Sequence, residues 1–490
     1  MTMINFKNKA LKPFSLKNHP NNLKNRKIMI KNKYKMLLMF ALSSFLTPFV
    51  GSSMNLALPI IGKDFGMNII SLGWIATIFL LSTSIFLVPF GRLADILGRK
   101  KIFITGIITF TLASILCGLS NSGTFLLIAR AIQGIGSAMI FGTSMALLVS
   151  IFPPRERGQA LGFNVSGAQM GNSVGPIIGG FVTQYLGWRY IFAISTIFGA
   201  IVIYLGLKYI DGEHANSKGE KFDIIGSILY AISVISILYA PSILPSLTGF
   251  AIIAIGISVF TIFSLYEKKI KHPVFDIDLL LKNKKFAMSS LAALLNFSAA
   301  FAVPFLISMY LQYARGFQPN EAGIILLFLA ITMAICAPIA GRLSDLKDKQ
   351  IIAATGMSIA ATAILTLSFI LTQNTPISAI AILLAIFGFG LSLFSTPNTH
   401  AAMDSVSHKH LGLASSVLGT MRMLGQALSM STTMLIFSLI IGKVKISSSV
   451  LPQLMQSIHI ILFIFGVLCI LGALASLVRG TKDKEIIEKI

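Results

Sequence analysis

Residues that could form ion pairs are scarce in this chain, and one group of them occurs twice. The segment GRLADILGRKK begins at Gly91, and the similar segment GRLSDLKDKQ begins at Gly341, 250 residues later. Asp95 and Asp345 occupy the same place in the two copies, where each can pair with a nearby arginine or with a helix N-terminus. Contacts of this kind can latch two helices together and release them. We therefore predict that Gly91, Asp95, Arg99 and Asp345 form gating contacts.

Two arginines lie inside long apolar stretches, Arg130 in LLIARAIQGIGSA and Arg422 in GTMRMLGQAL. A guanidinium within a membrane costs about 2.5–3.5 kcal/mol on insertion scales, so it normally faces a protein interior or a water-filled cavity. Gln133 lies one helical turn from Arg130 and favours an interior position. The alternative is that Arg130 extends to the membrane surface. We predict that Arg130, Gln133 and Gly134 take part in conformational coupling.

Other polar or adaptable side chains in the apolar stretches could surround a small molecule. Methionine and phenylalanine re-pack around varied apolar ligands, although both are also common on lipid-facing helices. The predicted substrate cavity comprises Asn55, Gln169, Met170, Asn296, Phe297, Gln312 and Arg422.

The acidic residues restrict the chemistry of a substrate. None of the 17 Asp and Glu residues falls deep in an apolar stretch, whereas a buried organic cation needs a carboxylate to offset its desolvation. Lipophilic neutral or anionic substrates therefore fit better. A coupling proton also lacks the usual buried carrier, which leaves Asp95 and His400 as candidates.

Small residues recur at four-residue spacing in GAQMGNSVGPIIGG, at Gly171, Gly175 and Gly179. Such spacing lets two helix backbones approach closely, and Pro176 removes one backbone hydrogen bond and kinks the helix. We predict that these residues and Gly180 pack helices without contacting a ligand.

Catalytic and metal-binding patterns are absent from the sequence. The three cysteines lie in apolar stretches and form no CxxC pair, and there is no nucleophile elbow, HExxH motif or phosphate-binding loop. The sequence therefore predicts neither an enzyme nor a bound metal or cofactor.

The composition indicates what positions these residues. Hydrophobic residues make up 55% and charged residues 12% of the 490 positions, with mean hydropathy +0.82. Soluble domains carry about 25% charged residues, so this composition predicts an all-α membrane protein. Fourteen stretches are long enough to cross a bilayer, which takes about 20 residues. They are 36–60, 73–91, 102–120, 124–150, 159–182, 188–208, 223–240, 247–266, 286–312, 322–341, 351–371, 377–400, 411–441 and 456–478.

The repeat divides these stretches into two halves of six. A second similarity relates RERGQALGFNVSGAQMGNSVG to HKHLGLASSVLGTMRMLGQAL at an offset of 254, so two stretches between the halves are an insertion. Two parallel halves are typical of transporters whose binding site lies between them. The predicted division is a basic cytoplasmic arm 1–35, a six-helix bundle 36–208, a linker with two extra helices 209–285, a second bundle 286–478 and a cytoplasmic tail 479–490.

The net charge of +23 reflects membrane orientation. With the N-terminus in the cytoplasm, only five of the 40 lysines and arginines lie on the external side: Lys63, Arg189, Arg315, Lys443 and Lys445. This asymmetry follows the positive-inside rule and predicts that both termini are cytoplasmic. It also argues against nucleic-acid binding, and it alone can explain Lys100 and Lys101. We expect a monomer in the cytoplasmic membrane.

In order along the chain, these motifs resemble those of the major facilitator superfamily. GRLADILGRKK is similar to its loop between the second and third helices, LLIARAIQGIGSA to its fourth-helix motif, and GNSVGPIIGG to the GxxxGPxxGG pattern of its exporters. SSMNLALP resembles the first-helix motif of the fourteen-span drug:proton antiporters, although Val50 replaces the usual acid.

The resemblance implies a major facilitator fold with two six-helix bundles and two inserted helices. It also implies proton-coupled export of drugs or other lipophilic small molecules by alternating access. The alternative is a narrow-specificity metabolite facilitator or exporter of the same superfamily that protons do not drive.

Overall fold

A computed structural model describes residues 20–478, apart from 154–155, 214, 216, 218, 271–273, 276–279, 281, 347 and 407–410. The described part is helical throughout and contains no strand. The first eight helices are α1 (Pro20–Asp64), α2 (Ile69–Leu97), α3 (Arg99–Gly118), α4 (Gly123–Ile151), α5 (Arg157–Tyr185), α6 (Arg189–Tyr209), α7 (Ile224–Tyr239) and α8 (Leu247–Glu267).

Six further helices complete the fold. The ninth, α9, runs through Lys284–Ala300, the short helix Val303–Met309 and a π-helical turn Tyr310–Ala314. The others are α10 (Pro319–Leu346), α11 (Lys349–Ile370), α12 (Ile377–Asp404), α13 (Leu411–Ile440) and α14 (Leu451–Leu477). The basic arm is partly helical, because α1 begins at Pro20, well before residue 36. The tail 479–490 and residues 1–19 lie outside the described residues.

Hydrophobic length explains most of these helices. Within the described ranges, thirteen helices are long and apolar enough to cross a membrane, and α5 is the exception. Its glycine, asparagine, serine and glutamine residues lower its hydropathy, but they suit a helix that packs between other helices. α5 lies against α1 of its own half and α10 of the other half.

The two halves pack in the same pattern. α1 contacts α5 and α6, α2 contacts α4, and α3 contacts α4 and α6. In the second half α9 contacts α13 and α14, α10 contacts α12, and α11 contacts α12 and α14. The halves meet at two matching edges, α5 against α10 and α2 against α13. The inserted helices α7 and α8 pair with each other, and α7 lies beside α2 and α13.

The glycine contacts show that the helix packing of the first half repeats in the second half. A Cβ on Gly134 of α4 would lie 2.5 Å from the Phe79 carbonyl oxygen, and one on Gly388 of α12 would lie 2.5 Å from that of Leu329. Gly136 and Gly390 make equally close approaches to α3 and α11. The backbones touch at these crossings because no side chain separates them.

Candidate transport pathway

The halves are joined by hydrogen bonds where α1 and α9 end, which we call the closed end. The Ser308 hydroxyl donates to the Asn55 carbonyl oxygen at 2.7 Å. The Gln312 amide donates to the Leu56 carbonyl oxygen at 3.1 Å, and the Tyr313 hydroxyl to that of Pro59 at 3.2 Å. All three bonds link α9 to α1. The backbone nitrogen of Ile69 also donates to the Val444 carbonyl oxygen at 3.2 Å.

Close backbone packing seals the same end. A Cβ on Gly180 of α5 would lie 2.6 Å from the Pro319 carbonyl oxygen, and one on Gly323 of α10 would lie 2.6 Å from that of Pro176. A side chain on Gly73 of α2 would collide with Met434 of α13. Both matching edges are therefore in contact at the closed end.

The opposite end, where the α2–α3 hairpin lies, is the open end. One face of α5 packs against α10 and carries Ser173, Pro176 and Gly180. The Ser173 hydroxyl donates a hydrogen bond to the Ala330 carbonyl oxygen at 3.5 Å. Gly162 lies on the same face of α5, further toward the open end, and a Cβ placed on it would meet no atom within 4 Å. Met170 of the same helix is 59% exposed. Among the described residues, the Ser415 hydroxyl contacts the Met145 sulfur across this end at 2.9 Å. We infer from the open surroundings of Gly162 and Met170 that the halves enclose a space that opens at this end.

Arg422 of α13 lies between the closed and open ends. Its guanidinium donates to the Thr399 hydroxyl of α12 and lies 5.8 Å from the ring centroid of Phe297. Its Nε is buried without a hydrogen-bond partner, and no described carboxylate forms a salt bridge with it. One turn away, a Cβ on Gly419 would meet nothing within 4 Å. A cation with unused donors therefore stands beside an aromatic ring and open space.

The other predicted cavity residues divide into three groups. Asn55 and Gln312 belong to the closed end. Gln169 is partly buried and neighbours the exposed Met170 on α5. Asn296 turns into the second half, where its amide contacts the Met357 sulfur at 3.0 Å.

Within the described residues, the hydrogen bonds and salt bridges of the predicted gating residues in the α2–α3 hairpin join their own half and the linker. Arg99 Nε donates to Asp95 at 2.8 Å, and Arg99 also donates to the Ala146 carbonyl oxygen of α4 at 3.2 Å. Arg92 pairs with Glu220 of the linker. Gly91 lies against Gly142, whose Cβ would be 3.2 Å from the Gly91 nitrogen. The Asp345 side chain lies outside the described residues.

Arg130 is buried inside the first half, between α2, α3 and α4. Its Nε donates to the Ile75 carbonyl oxygen at 3.2 Å, and the guanidinium stacks 4.2 Å from the Phe79 ring centroid. It also donates to the Gln133 amide oxygen, and the Gln133 nitrogen donates to the Ser114 hydroxyl at 2.8 Å. Arg130, Gln133 and Ser114 are all buried within the first half, and we call this set the α4 network.

The glycines of α5 at four-residue spacing face α1. A Cβ on Gly171 would lie 2.6 Å from the Phe45 carbonyl oxygen, and one on Gly179 2.6 Å from the Ser53 Cα. Gly175 meets Ser52, and its own carbonyl oxygen accepts from the Ser53 hydroxyl at 2.9 Å. Gly180 and Pro176, in contrast, face the other half.

Several contributing residues were missed from the sequence. Ser308 lies one turn before Gln312 and completes the closed end, a role that serine content alone does not indicate. Asn164 joins α5 to Ser44 at 2.6 Å and Ser144 at 2.8 Å. Glu220 was not predicted to contribute either, because its partner Arg92 is distant along the chain.

Comparison with known proteins matches residues 40–430 and 289–487 to the Major Facilitator Superfamily. The riboflavin transporter RibZ of Clostridioides difficile is 30% identical over 402 residues, which cover 81% of this chain and 87% of that protein. The multidrug resistance protein Stp of Mycobacterium tuberculosis is 29% identical over 381 residues, covering 76% and 70%. The multidrug transporter protein MdtP of Bacillus subtilis is 29% identical over 398 residues, covering 78% and 71%.

A solved structure shares the fold. It is a bacterial homologue of the human lysosomal transporter Spinster in an inward-facing, unoccupied conformation. The TM-score is 0.64 at 16% identity, covering 91% of this chain and 96% of that one. The predicted all-helical major facilitator fold is confirmed, and its family and fold are those of transporters rather than enzymes. The chain belongs to the Major Facilitator Superfamily.

Proposed function

We propose that the protein exports lipophilic neutral or anionic small molecules across the cytoplasmic membrane by proton-coupled antiport, as a fourteen-span drug:proton antiporter. The distribution of lysine and arginine supports a cytoplasmic position of the open end. Relatives that are named multidrug resistance and multidrug transporter proteins support export of drugs.

The observation that carries this proposal is the position of Arg422. It stands beside the space that opens toward the cytoplasm, with unused donors and no carboxylate partner among the described residues. A lipophilic anion would gain a charge-assisted hydrogen bond from the guanidinium and ring contact with Phe297. A cation would be repelled there, since no carboxylate in the described part of the chain pairs with Arg422 or could offset the desolvation of the cation.

Alternating access follows from the contacts between the halves. The two matching edges are packed at one end and apart at the other, so rocking about them would break the α1–α9 bonds and close the cytoplasmic side. The α2–α3 hairpin lies at the side that would then close. The Asp95–Arg99 pair is held against α4, and this contact supports the proposal that the pair takes part in that closure.

A second candidate is transport of one metabolite without proton coupling. The relative named a riboflavin transporter favours it, since that protein matches this chain over most of both lengths.

The test is transport in proteoliposomes with an imposed proton gradient, using anionic, neutral and cationic lipophilic dyes. We expect transport of the anionic and neutral dyes, and its loss on adding an uncoupler. Asp95→Asn, which removes the ion pair with Arg99, is expected to abolish transport of both.

Arg422→Gln sharpens the test. It should lower transport of the anionic dye more than tenfold, because a hydrogen bond to a charged group contributes about 1.5–3 kcal/mol. The neutral dye should be less affected. Lys285→Gln, a matched loss of charge at an exposed position, should change neither. Uncoupler-insensitive transport, or transport of riboflavin alone, would favour the second candidate.

A further inference from the structure

Two carboxylates meet at the base of the inserted hairpin formed by α7 and α8, at the open end. Asp223 caps the start of α7, and Glu267 is the last residue of α8, so the antiparallel hairpin brings them together. A Cβ placed on Gly226 would contact both Asp223 Oδ2 and Glu267 Oε1. These two oxygens therefore border the same small space.

Each carboxylate has one bonded and one unbonded oxygen. Asp223 Oδ1 accepts from the Gly226 nitrogen at 2.9 Å and from the Tyr266 hydroxyl at 3.2 Å. Glu267 Oε2 accepts from the Phe275 nitrogen at 3.4 Å. Glu267 is only 3% exposed, and both Oε1 and Asp223 Oδ2 are buried with no hydrogen-bond partner among the described residues. The unbonded oxygens are the two that border the shared space.

No described cation neutralises the pair. Lys221, Lys268 and Lys269 are close along the chain but exposed, and none forms a salt bridge with Asp223 or Glu267 within the described ranges. The arginines of the helices that pack against α7 have other partners. Arg92 of α2 binds Glu220 and Ser217, and Arg422 of α13 binds Thr399.

Two ionised carboxylates in this position would repel each other, and each would bear an uncompensated desolvation cost of several kcal/mol. One proton removes the repulsion and the desolvation cost of one carboxylate, and it makes that carboxyl a donor to the unbonded oxygen of the carboxylate that stays ionised. A calcium ion would need about six oxygen ligands, whereas two unbonded oxygens border the space among the described residues. We propose that Asp223 and Glu267 bind one shared proton taken from water at the open end, which changes the charge of the pair from −2 to −1.

This site deepens the proposed function, and its role in coupling rests on that function, although proton binding does not. It would supply a buried proton acceptor, which the sequence does not place deep in any apolar stretch. The linker connects it to the α2–α3 hairpin, since the Ser217 nitrogen donates to the Asp95 carbonyl oxygen at 2.9 Å and Glu220 binds Arg92. Asp223, where the charge would change, thus lies three residues along the chain from Glu220, whose contact with Arg92 holds the linker against the α2–α3 hairpin.

Infrared difference spectroscopy across a pH titration of the purified full-length protein tests the proposal. We expect a protonated carboxyl signal that persists to a pH at which exposed carboxylates are ionised. Glu267→Gln and Asp223→Asn should each abolish it, and Glu321→Gln, a matched change at an exposed acid in the first turn of α10, should retain it. The proposal is overturned if the signal survives both changes at the pair, never appears, or responds to Na⁺ or Ca²⁺ and not to pH.

Thermal stability gives a second readout. A proton held in the folded state stabilises it at low pH, and this stabilisation is lost as pH rises through the titration. The melting temperature of the wild type should therefore fall more steeply between about pH 5 and about pH 8 than that of Glu267→Gln, whose amide cannot ionise. Parallel curves would contradict a shared proton. Neither readout needs a substrate, so failure of the export proposal would leave both interpretable.

Discussion

The two halves of the transporter cross their helices alike but differ in polarity at matching positions. In the first half the α4 network joins Arg130, Gln133 and Ser114. The corresponding residues of the second half, at the offsets of the two repeats, are Leu384, Phe387 and Ile364, and all three are fully buried. The neighbouring glycine contacts are nevertheless the same in both halves. The crossing of these helices thus needs the glycines and not the network, and the role of the network in conformational coupling stays a prediction.

The largest expected effect tests the glycine contacts that the two halves share. Gly134→Val and Gly388→Val should each prevent folding, because a Cβ 2.5 Å from a backbone oxygen forces two helices apart and overpacking costs about 1–3 kcal/mol or more. Size-exclusion chromatography of the detergent-solubilised protein would measure this. Gly162→Val, which meets open space, is the control. A folded Gly388→Val protein would show that the halves do not share this constraint.

The next effect tests the difference between the halves. Arg130→Leu leaves the buried Gln133 oxygen without its donor and should cost about 1–3 kcal/mol. The triple change Arg130→Leu, Gln133→Phe and Ser114→Ile installs the residues of the second half and should recover that stability. Thermal unfolding would compare the three proteins.

Transport by the triple variant then separates structure from function. If the network serves conformational coupling, the variant should fold but transport dye at least about tenfold more slowly, a loss of about 1.4 kcal/mol. If the triple variant transported dye at the wild-type rate, the network would serve packing alone, and its role in conformational coupling would be contradicted.

The smallest expected effect comes from Ser114→Ala. It removes one neutral hydrogen bond from Gln133 and should lower stability by about 0.5–1.5 kcal/mol. Thr362→Ala on α11 is the control, since this exposed hydroxyl bonds only to the Ser358 carbonyl oxygen. Equal losses in both variants would mean that the network adds nothing beyond a local bond.

Much of the architecture could be predicted from the sequence, because bilayer thickness sets helix length and the repeated motif exposes the two halves. The four-residue spacing of Gly171, Gly175 and Gly179 placed them on one face, and that face lies against α1. The 254-residue offset that relates the halves also pairs Gly134 with Gly388, a match that could have been read from the sequence.

The location of the polar residues could not be predicted in the same way. Gln312 and Asn55 lie at the closed end because the halves are rocked together there, and no local pattern encodes that state. Asn296 turns into its own half, since rotation about the helix axis depends on the neighbouring helices. Glu267 is a charged residue at the end of an apolar helix, so the sequence predicts that it lies at the surface. It is buried because the chain returns over it at Val274 and Phe275.

The inserted hairpin makes the two edges between the halves unequal. At one edge α7 lies beside α2 and α13, with the Tyr230 hydroxyl donating to the Ser84 carbonyl oxygen at 3.1 Å and the Ser431 hydroxyl to that of Leu238 at 2.8 Å. The matching edge between α5 and α10 has no such cover among the described helices. The α2–α13 edge is therefore covered by α7, whereas the α5–α10 edge faces the lipid. A lipophilic molecule that moved from the bilayer into the space between the halves would have to pass the α5–α10 edge.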